Sequence, residues 1–254
     1  MLANTCVVVM GPYRSGTSLS AQILSVLGVE FGNADAFQLA ADRFNPGGYF
    51  QRRDIVRANQ RLINSVSDRI GKPAEPKVIN AGAPQEWLDG VDLGWMSRSR
   101  ICGLKDPRFC VTLLTWIDRS GLPAENLLVV RVVRDLSAIA RSSVRHREVG
   151  SFCDYDLGGA LEMARAYDYW AGWHAEGMGL PVMEISYERL VLDPESVVFE
   201  VAEFVGQSDS KVIHRARLAV GKRRALIRHY AHKLLDPRLM LGTARKTFRS
   251  RRKK

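Results

Sequence analysis

Short apolar runs alternate along the chain with segments whose apolar residues recur at helical spacing. The runs have the length of buried strands and cover residues 6–10, 101–104, 127–133 and 181–185. Helical spacing follows the first run from Leu19 to Leu27, and Gly28 is placed to end that helix. Strands that alternate with helices pair in parallel and are covered by helices on both faces. The pattern therefore predicts an α/β fold with a parallel central sheet.

The first apolar run leads into a glycine-bounded loop, residues 11–18, which reads Gly-Pro-Tyr-Arg-Ser-Gly-Thr-Ser. In a strand, loop and helix of this kind, backbone N–H groups and the helix dipole converge on an anion. The glycine spacing is that of the ATP-binding loop, but Thr17 replaces its lysine and Arg14 supplies the cation. The missing lysine argues against magnesium–ATP chemistry, whereas a planar guanidinium suits an oxyanion. On this P-loop-like core, the residues expected to hold the anion are Arg14, Ser15, Gly16, Thr17 and Ser18.

Two later apolar runs also end in charged residues. Residues 101–108 read Ile-Cys-Gly-Leu-Lys-Asp-Pro-Arg, so that a short strand ends at Lys105 and Asp106. The run 127–133 is followed by Arg134 and by Asp135, which is a good helix N-cap. Ser142 then lies two turns along the helix. Arg134 and Ser142 therefore offer a guanidinium group and a hydroxyl to a second anion at one strand–helix junction.

Taken in order, these segments resemble the sulfotransferases that use 3′-phosphoadenosine 5′-phosphosulfate (PAPS). The loop 11–18 is similar to their 5′-phosphosulfate loop, and Arg134 with Ser142 is similar to their 3′-phosphate pair. Lys105 resembles the lysine that faces the transferred sulfuryl group. Residues 186–190, Ser-Tyr-Glu-Arg-Leu, resemble a late family segment in which Tyr187 belongs to the donor site.

The resemblance covers residues 11 to 195 and implies the activity. A sulfuryl group would pass from PAPS to a hydroxyl, or less readily an amine, of a sugar, lipid or small metabolite, and no metal would be required. Negative charge spreads over the SO₃ oxygens in such a reaction, which calls for fixed cations. Arg14 and Lys105 are the residues expected to supply them.

The chain departs from the family at one position. Residues 45–51, Asn-Pro-Gly-Gly-Tyr-Phe-Gln, resemble a segment of related bacterial sulfotransferases that usually carries glutamate where Gln51 stands. An amide cannot accept the proton of the acceptor hydroxyl at neutral pH. If that glutamate is the usual base, this chain either uses another group or has lost activity. We expect Asp106, next to Lys105, to be this catalytic base, and its alternative role is to cap the turn that follows. The further candidates, suggested by residue type alone, are Asp54 and His146.

Two other classes of function remain open on the sequence. A P-loop kinase-like phosphotransferase would need a loop lysine, which Thr17 replaces, and a magnesium-binding carboxylate, which Asp106 could supply. A non-catalytic nucleotide- or anion-binding protein would bind the donor without turnover.

The net charge of +10 is unevenly distributed. Residues 211–254 hold 16 Lys and Arg against one acid, whereas residues 1–210 hold 21 against 26. We therefore predict a sulfotransferase domain over 1–210 and a basic, partly helical C-terminal segment over 211–254 with a disordered end. Residues 221–224, Gly-Lys-Arg-Arg, are expected to close over the nucleotide, as a late basic segment does in the family.

The remaining expectations concern partners and location. The basic segment either lies on an anionic membrane surface or stays solvated, and no nucleic acid partner is expected. The N-terminus lacks a charged region followed by a long apolar core, and no apolar stretch reaches about 18 residues. We therefore expect no signal peptide and no membrane span, and a cytoplasmic protein with peripheral membrane attachment as an option. Residues 73–84, from Pro73 to Pro84, are expected to form a long loop or an insertion.

Overall fold

The computed structural model describes residues 5–41, 45, 47–122 and 124–220 of the 254-residue chain. In this part of the chain the sheet has four parallel strands in the order β2-β1-β3-β4. The strands are β1 (Thr5–Met10), β2 (Ile101–Lys105), β3 (Leu127–Val133) and β4 (Val182–Ser186). Each strand coincides with one of the apolar runs, so the predicted parallel sheet is confirmed.

The helices occupy the segments between and after the strands. They are α1 (Thr17–Val26), α2 (Arg53–Asn64), α3 (Pro76–Ala81), α4 (Phe109–Arg119), α5 (Leu136–Ser143), α6 (Arg147–Ser151), α7 (Leu157–Gly177), α8 (Tyr187–Leu192) and α9 (Pro194–Phe204). A further helical segment covers 210–220. Short 3₁₀ turns lie at Ala34–Ala36, Gln85–Leu88, Gly94–Arg98 and Ala124–Asn126.

The alternating side chains of β1 divide the core into two layers. Cys6, Val8 and Met10 pack in a cluster with residues of α2, α3, α4 and α7. Val7 and Val9 pack in a second cluster with residues of α1 and α9. Both faces of the sheet are therefore covered by helices, which confirms the predicted α/β class and explains why the run at 6–10 is apolar throughout.

The structure corrects one expectation and extends another. The predicted loop from Pro73 to Pro84 is wrong over α3, because Pro76 occupies the first turn, where proline favours a helix, and Ile79 is buried. The helical segment 210–220 places Ala216 and Val220 in the second core cluster. The packed domain therefore continues past the boundary expected at residue 210.

The strand order places a crevice at the carboxyl ends of β1 and β3. The chain leaves β1 for β2 on one side of the sheet and leaves β3 for β4 on the other. Ligands of open parallel sheets bind where the strand order reverses in this way. The loop after β1 and the Arg134 junction after β3 both lie at this point, and Lys105 ends the neighbouring strand β2.

Candidate active site

Close packing fixes the glycines of the loop between β1 and α1. A Cβ atom at Gly11 would collide with the backbone carbonyl of Val132 in β3. Gly16 has a φ of 112°, in the left-handed region, and a Cβ there would collide with the ring of Tyr187. The loop is therefore wedged between β3 and α8, and α1 begins directly behind it at Thr17.

Arg14 joins the loop to the junction after β3. Its backbone is left-handed (φ 69°), a conformation that is costly for a residue with a Cβ and that concentrates at functional sites. Its Nε donates to the Ser142 hydroxyl at 3.2 Å, and its carbonyl accepts a hydrogen bond of 2.8 Å from Arg134. Three of the predicted donor-binding residues are thus connected directly.

Tyr187 provides a platform for the second arginine. The guanidinium carbon of Arg134 lies 4.3 Å from the centre of the Tyr187 ring. The same ring closes against Gly16, so Tyr187 fixes both the loop and Arg134. Asp135 accepts the Ala138 N–H at 2.7 Å, which confirms its predicted place as the N-cap of α5.

Lys105 is a buried cation at the end of β2, with 3% of its surface exposed. Its Nζ donates to the Ser18 hydroxyl and to the Gln51 side-chain carbonyl, each at 3.2 Å. Burial lowers the pKa of Lys105 to about 7; Asp106 opposes this shift, and Arg14 and Arg108 add to it. Within the described residues Lys105 forms no ion pair, so its charge is poorly compensated by the protein.

These groups meet in an inner cavity of about 80 Å³. Its walls include seven of the predicted site residues, namely Arg14, Gly16, Thr17, Ser18, Lys105, Arg134 and Tyr187. The cavity opens into an outer cleft of about 1050 Å³, which Ser142 lines together with Arg14, Arg134, Arg141, Arg145 and Arg147. Five arginines line this cleft, so it suits a ligand with several negative charges.

Ser15 and Asp106 are the predicted residues that line neither space. Asp106 is fully buried behind Lys105, where its carboxylate accepts bonds from Asn59 Nδ2 (3.1 Å), the Arg108 backbone N–H (3.0 Å) and the Arg108 guanidinium (3.0 Å). These contacts correspond to its alternative role, the cap of the turn. The geometry therefore gives no support to Asp106 as the base.

The two remaining base candidates are placed differently. Asp54 lines neither space and pairs with Arg52 at 2.7 Å. His146 lines both the cavity and the cleft, and its Nδ1 accepts the Val149 N–H at 3.3 Å as the N-cap of α6. Of the two, only His146 is near the predicted site.

Sequence reasoning missed two charged residues of the cavity wall. Arg108 is 1% exposed, contacts the Tyr13 ring and lines the inner cavity. Because Arg108 lies only three residues after Lys105, the sequence could have been used to predict it as a residue of the site. Glu148 lines both spaces. No sequence pattern identifies Glu148, because this residue reaches the cavity only where the chain turns back towards it after α5.

Some expectations fall on residues that the structure does not describe. The segment 221–224 and the end of the basic tail lie outside the described residues. Within the described ranges, no cluster of three or more His, Cys, Asp or Glu side chains is arranged to hold a metal ion. No helix in the same ranges has the length and apolar character needed to cross a membrane.

Comparison with known proteins places the chain in a family. Solved structures that resemble it include the sulfotransferase domain of the Synechococcus PCC 7002 olefin synthase, with 18% identity, a TM-score of 0.46 and coverage of 83% of this chain and 75% of that one. Sulfotransferase STF9 from Mycobacterium avium shows 13% identity, a TM-score of 0.49 and coverage of 87% and 69%. No curated protein matches the chain. The sulfotransferase domain model matches residues 4–232, and the chain therefore belongs to the sulfotransferase domain family.

Proposed function

We propose that this protein transfers a sulfuryl group from PAPS to a hydroxyl of an acceptor. The observation that carries the proposal is the pair of anion-binding groups, Lys105 with the loop and Arg134 with Ser142, which Arg14 connects. Sulfotransferase family membership supports the reaction class. The family resemblance of the loop and of the Arg134 junction supports PAPS as the donor.

The inner cavity suits the 5′ end of this donor. Lys105 at the end of β2 and Arg14 within the loop both line this cavity, and the N-terminus of α1 lies at the same space. In the transition state, charge spreads over the SO₃ oxygens and the departing phosphate. Cations that are already fixed in position stabilise that charge without reorganisation.

The outer group suits the 3′-phosphate, which PAPS carries and ATP lacks. Arg134 lies over the ring of Tyr187 and offers a guanidinium fork to a phosphate. Ser142 adds a hydroxyl that already contacts Arg14. A ligand without the 3′-phosphate would leave both groups unused, so this site is the basis for discriminating between the two nucleotides.

The kinase-like alternative loses its proposed metal ligand in this structure. Asp106, which would have to hold magnesium, is buried and bonded to Arg108 and Asn59. Charge compensation falls instead to Arg14 and Lys105, and the proposal invokes no metal.

Calorimetry with adenosine 3′,5′-bisphosphate tests the donor assignment. We expect binding in metal-free buffer, and weaker binding of ADP, which lacks the 3′-phosphate. The matched variant is Arg134→Ala, which should weaken the bisphosphate by about 10-fold to 100-fold, because a charged hydrogen bond is lost, and should leave ADP nearly unchanged. Tighter binding of ATP than of the bisphosphate, and only with magnesium present, would contradict the proposal.

A further inference from the structure

Sulfuryl transfer to a hydroxyl releases a proton, and a group on the cavity wall has to accept it. The acceptor oxygen has to reach the donor sulfur in the inner cavity, so the base must line that cavity. Asp106 and Asp54 do not line it. Gln51 does line it, but its carbonyl already accepts from Lys105, and an amide is no base at neutral pH.

Two other proton-bearing side chains on the wall are poorly suited to the task. The Nδ1 of His146 is occupied by the Val149 N–H, so in the neutral ring the proton sits on Nε2 and that atom donates. Burial raises the pKa of the Tyr13 phenol well above its ordinary value of 10, so Tyr13 stays protonated. Lys105 is required as a cation beside the sulfuryl oxygens.

Glu148 is the only carboxylate that lines the inner cavity among the described residues. It lies in the first turn of α6 and also lines the outer cleft, so it stands where the two spaces join. The other charged residues of the inner wall, Arg14, Lys105, Arg108 and Arg134, are cations.

A carboxylate at this place opposes the binding of an anionic donor. In a cavity lined by cations, Glu148 weakens the ground-state binding of the donor. A contribution to the reaction itself would explain why a carboxylate lies there. Its position at the junction is also the side from which an acceptor in the wide outer cleft would approach the donor.

We propose that Glu148 is the general base of the transfer, an assignment that rests on the proposed function. Glu148 takes the proton from the acceptor O–H, and the acceptor oxygen forms the new S–O bond with its electron pair. The S–O bond to the 5′-phosphate breaks, and its electron pair leaves with adenosine 3′,5′-bisphosphate. No metal or redox partner enters the step.

The test follows the consumption of radiolabelled PAPS in a cell-extract metabolite pool, so that transfer to any hydroxyl and to water both count. Glu148→Gln should lower turnover about 10²–10⁴-fold, the usual contribution of a positioned base. Its affinity for adenosine 3′,5′-bisphosphate should be unchanged or slightly higher, because a negative charge has been removed. The matched control is Glu176→Gln, an exposed acid of α7 outside both spaces, which should behave as wild type.

Chemical rescue separates a base from a structural residue. Adding formate to Glu148→Ala supplies a small carboxylate and should restore part of the turnover, whereas formate should not restore Lys105→Met. A Glu148→Gln variant with wild-type turnover, a loss that parallels weaker bisphosphate binding, or a lack of formate rescue would overturn the assignment. A wild-type protein that binds the bisphosphate but never consumes PAPS faster than buffer alone would instead overturn the proposed function.

Discussion

Two buried cations three residues apart, Lys105 and Arg108, have opposite electrostatic surroundings. Arg108 forms an ion pair with the fully buried Asp106 and also lies against the ring of Tyr13. Lys105 is nearly as buried, but its Nζ contacts only the neutral oxygens of Ser18 and Gln51 among its described hydrogen bonds. Protein groups neutralise the arginine, whereas the lysine retains a charge that an incoming anion can neutralise.

The difference suggests how to recognise a functional cation in a buried site. A buried charge that is paired is compensated by its partner, which repays at least part of its desolvation cost, and it has little left to offer a ligand. A charge that is desolvated without a counter-ion costs stability and interacts strongly with an anion that enters the same cavity. On this criterion we propose that Lys105 acts in the reaction and that Arg108 acts mainly in the fold.

The largest expected effect is on turnover in Lys105→Met. The variant keeps the length of the side chain and removes the charge, so sulfuryl transfer should fall by about 10²–10³-fold. Its folded state should be more stable than wild type at neutral pH, because an unpaired buried charge has gone. Steady-state assays and urea unfolding measure the two quantities, and a variant that loses stability together with turnover would break the comparison.

Arg108→Met should mainly lower the free energy of unfolding, whereas Lys105→Met should mainly lower turnover. Removing one partner of a buried ion pair leaves Asp106 uncompensated, which typically costs about 3–5 kcal/mol of unfolding free energy. The double variant Asp106→Asn with Arg108→Met removes both charges and should recover part of that loss in the same urea experiment. Equal stability of Arg108→Met and wild type would show that the pair is not structural.

Gln51→Glu tests whether donor binding depends on Lys105 having neutral hydrogen-bond partners. A carboxylate 3.2 Å from Nζ would give Lys105 the kind of partner that Arg108 already has. We expect donor affinity to fall about tenfold, because the new charge competes with the donor for the lysine. Gln51→Asn is the neutral control. A strong rise in turnover would show instead that residue 51 is the natural place of the base.

The smallest effect is a pH dependence that follows from the pKa of Lys105, about 7. Above that pH the free protein loses the lysine charge, so the affinity for adenosine 3′,5′-bisphosphate should weaken as pH rises from 7 to 9. Lys105 is surrounded by Asp106, Arg14 and Arg108, and Glu148, His146 and Arg134 line the same cavity.

Lys105→Arg is the control for this effect, because its charge persists throughout the range. The stability of the wild type should rise over the window between about 7 and 10.5. In that window the unfolded chain still binds the lysine proton and the folded protein does not. Lys105→Met should lack this rise, and titration curves that coincide for the three proteins would contradict the shifted pKa.

The fold could be predicted from the sequence because it depends on local patterns, whereas the site residues were predicted from the resemblance of short motifs to a family. The apolar runs predicted the four strands of the described residues. Arg14, Lys105, Arg134 and Tyr187 lie at or just after the ends of those strands and line one cavity. The burial of Asp106 was not predictable, because it depends on a hydrogen bond from Asn59 in α2 and on the bond that the Arg108 guanidinium donates to the Asp106 carboxylate. Glu148 reaches the cavity only through the packing of α6, which leaves no trace in local spacing.

The central claim, that the two linked anion sites carry out sulfuryl transfer from PAPS, is tested most directly by radiolabelled donor. The protein is incubated with labelled PAPS and a cell extract, and labelled products are separated and identified by mass spectrometry, with Lys105→Met as the matched control. The account predicts a labelled sulfate ester that forms with wild type and is lost with the variant. A wild-type protein that binds adenosine 3′,5′-bisphosphate but transfers label to no compound would show a nucleotide-binding protein without sulfotransferase activity.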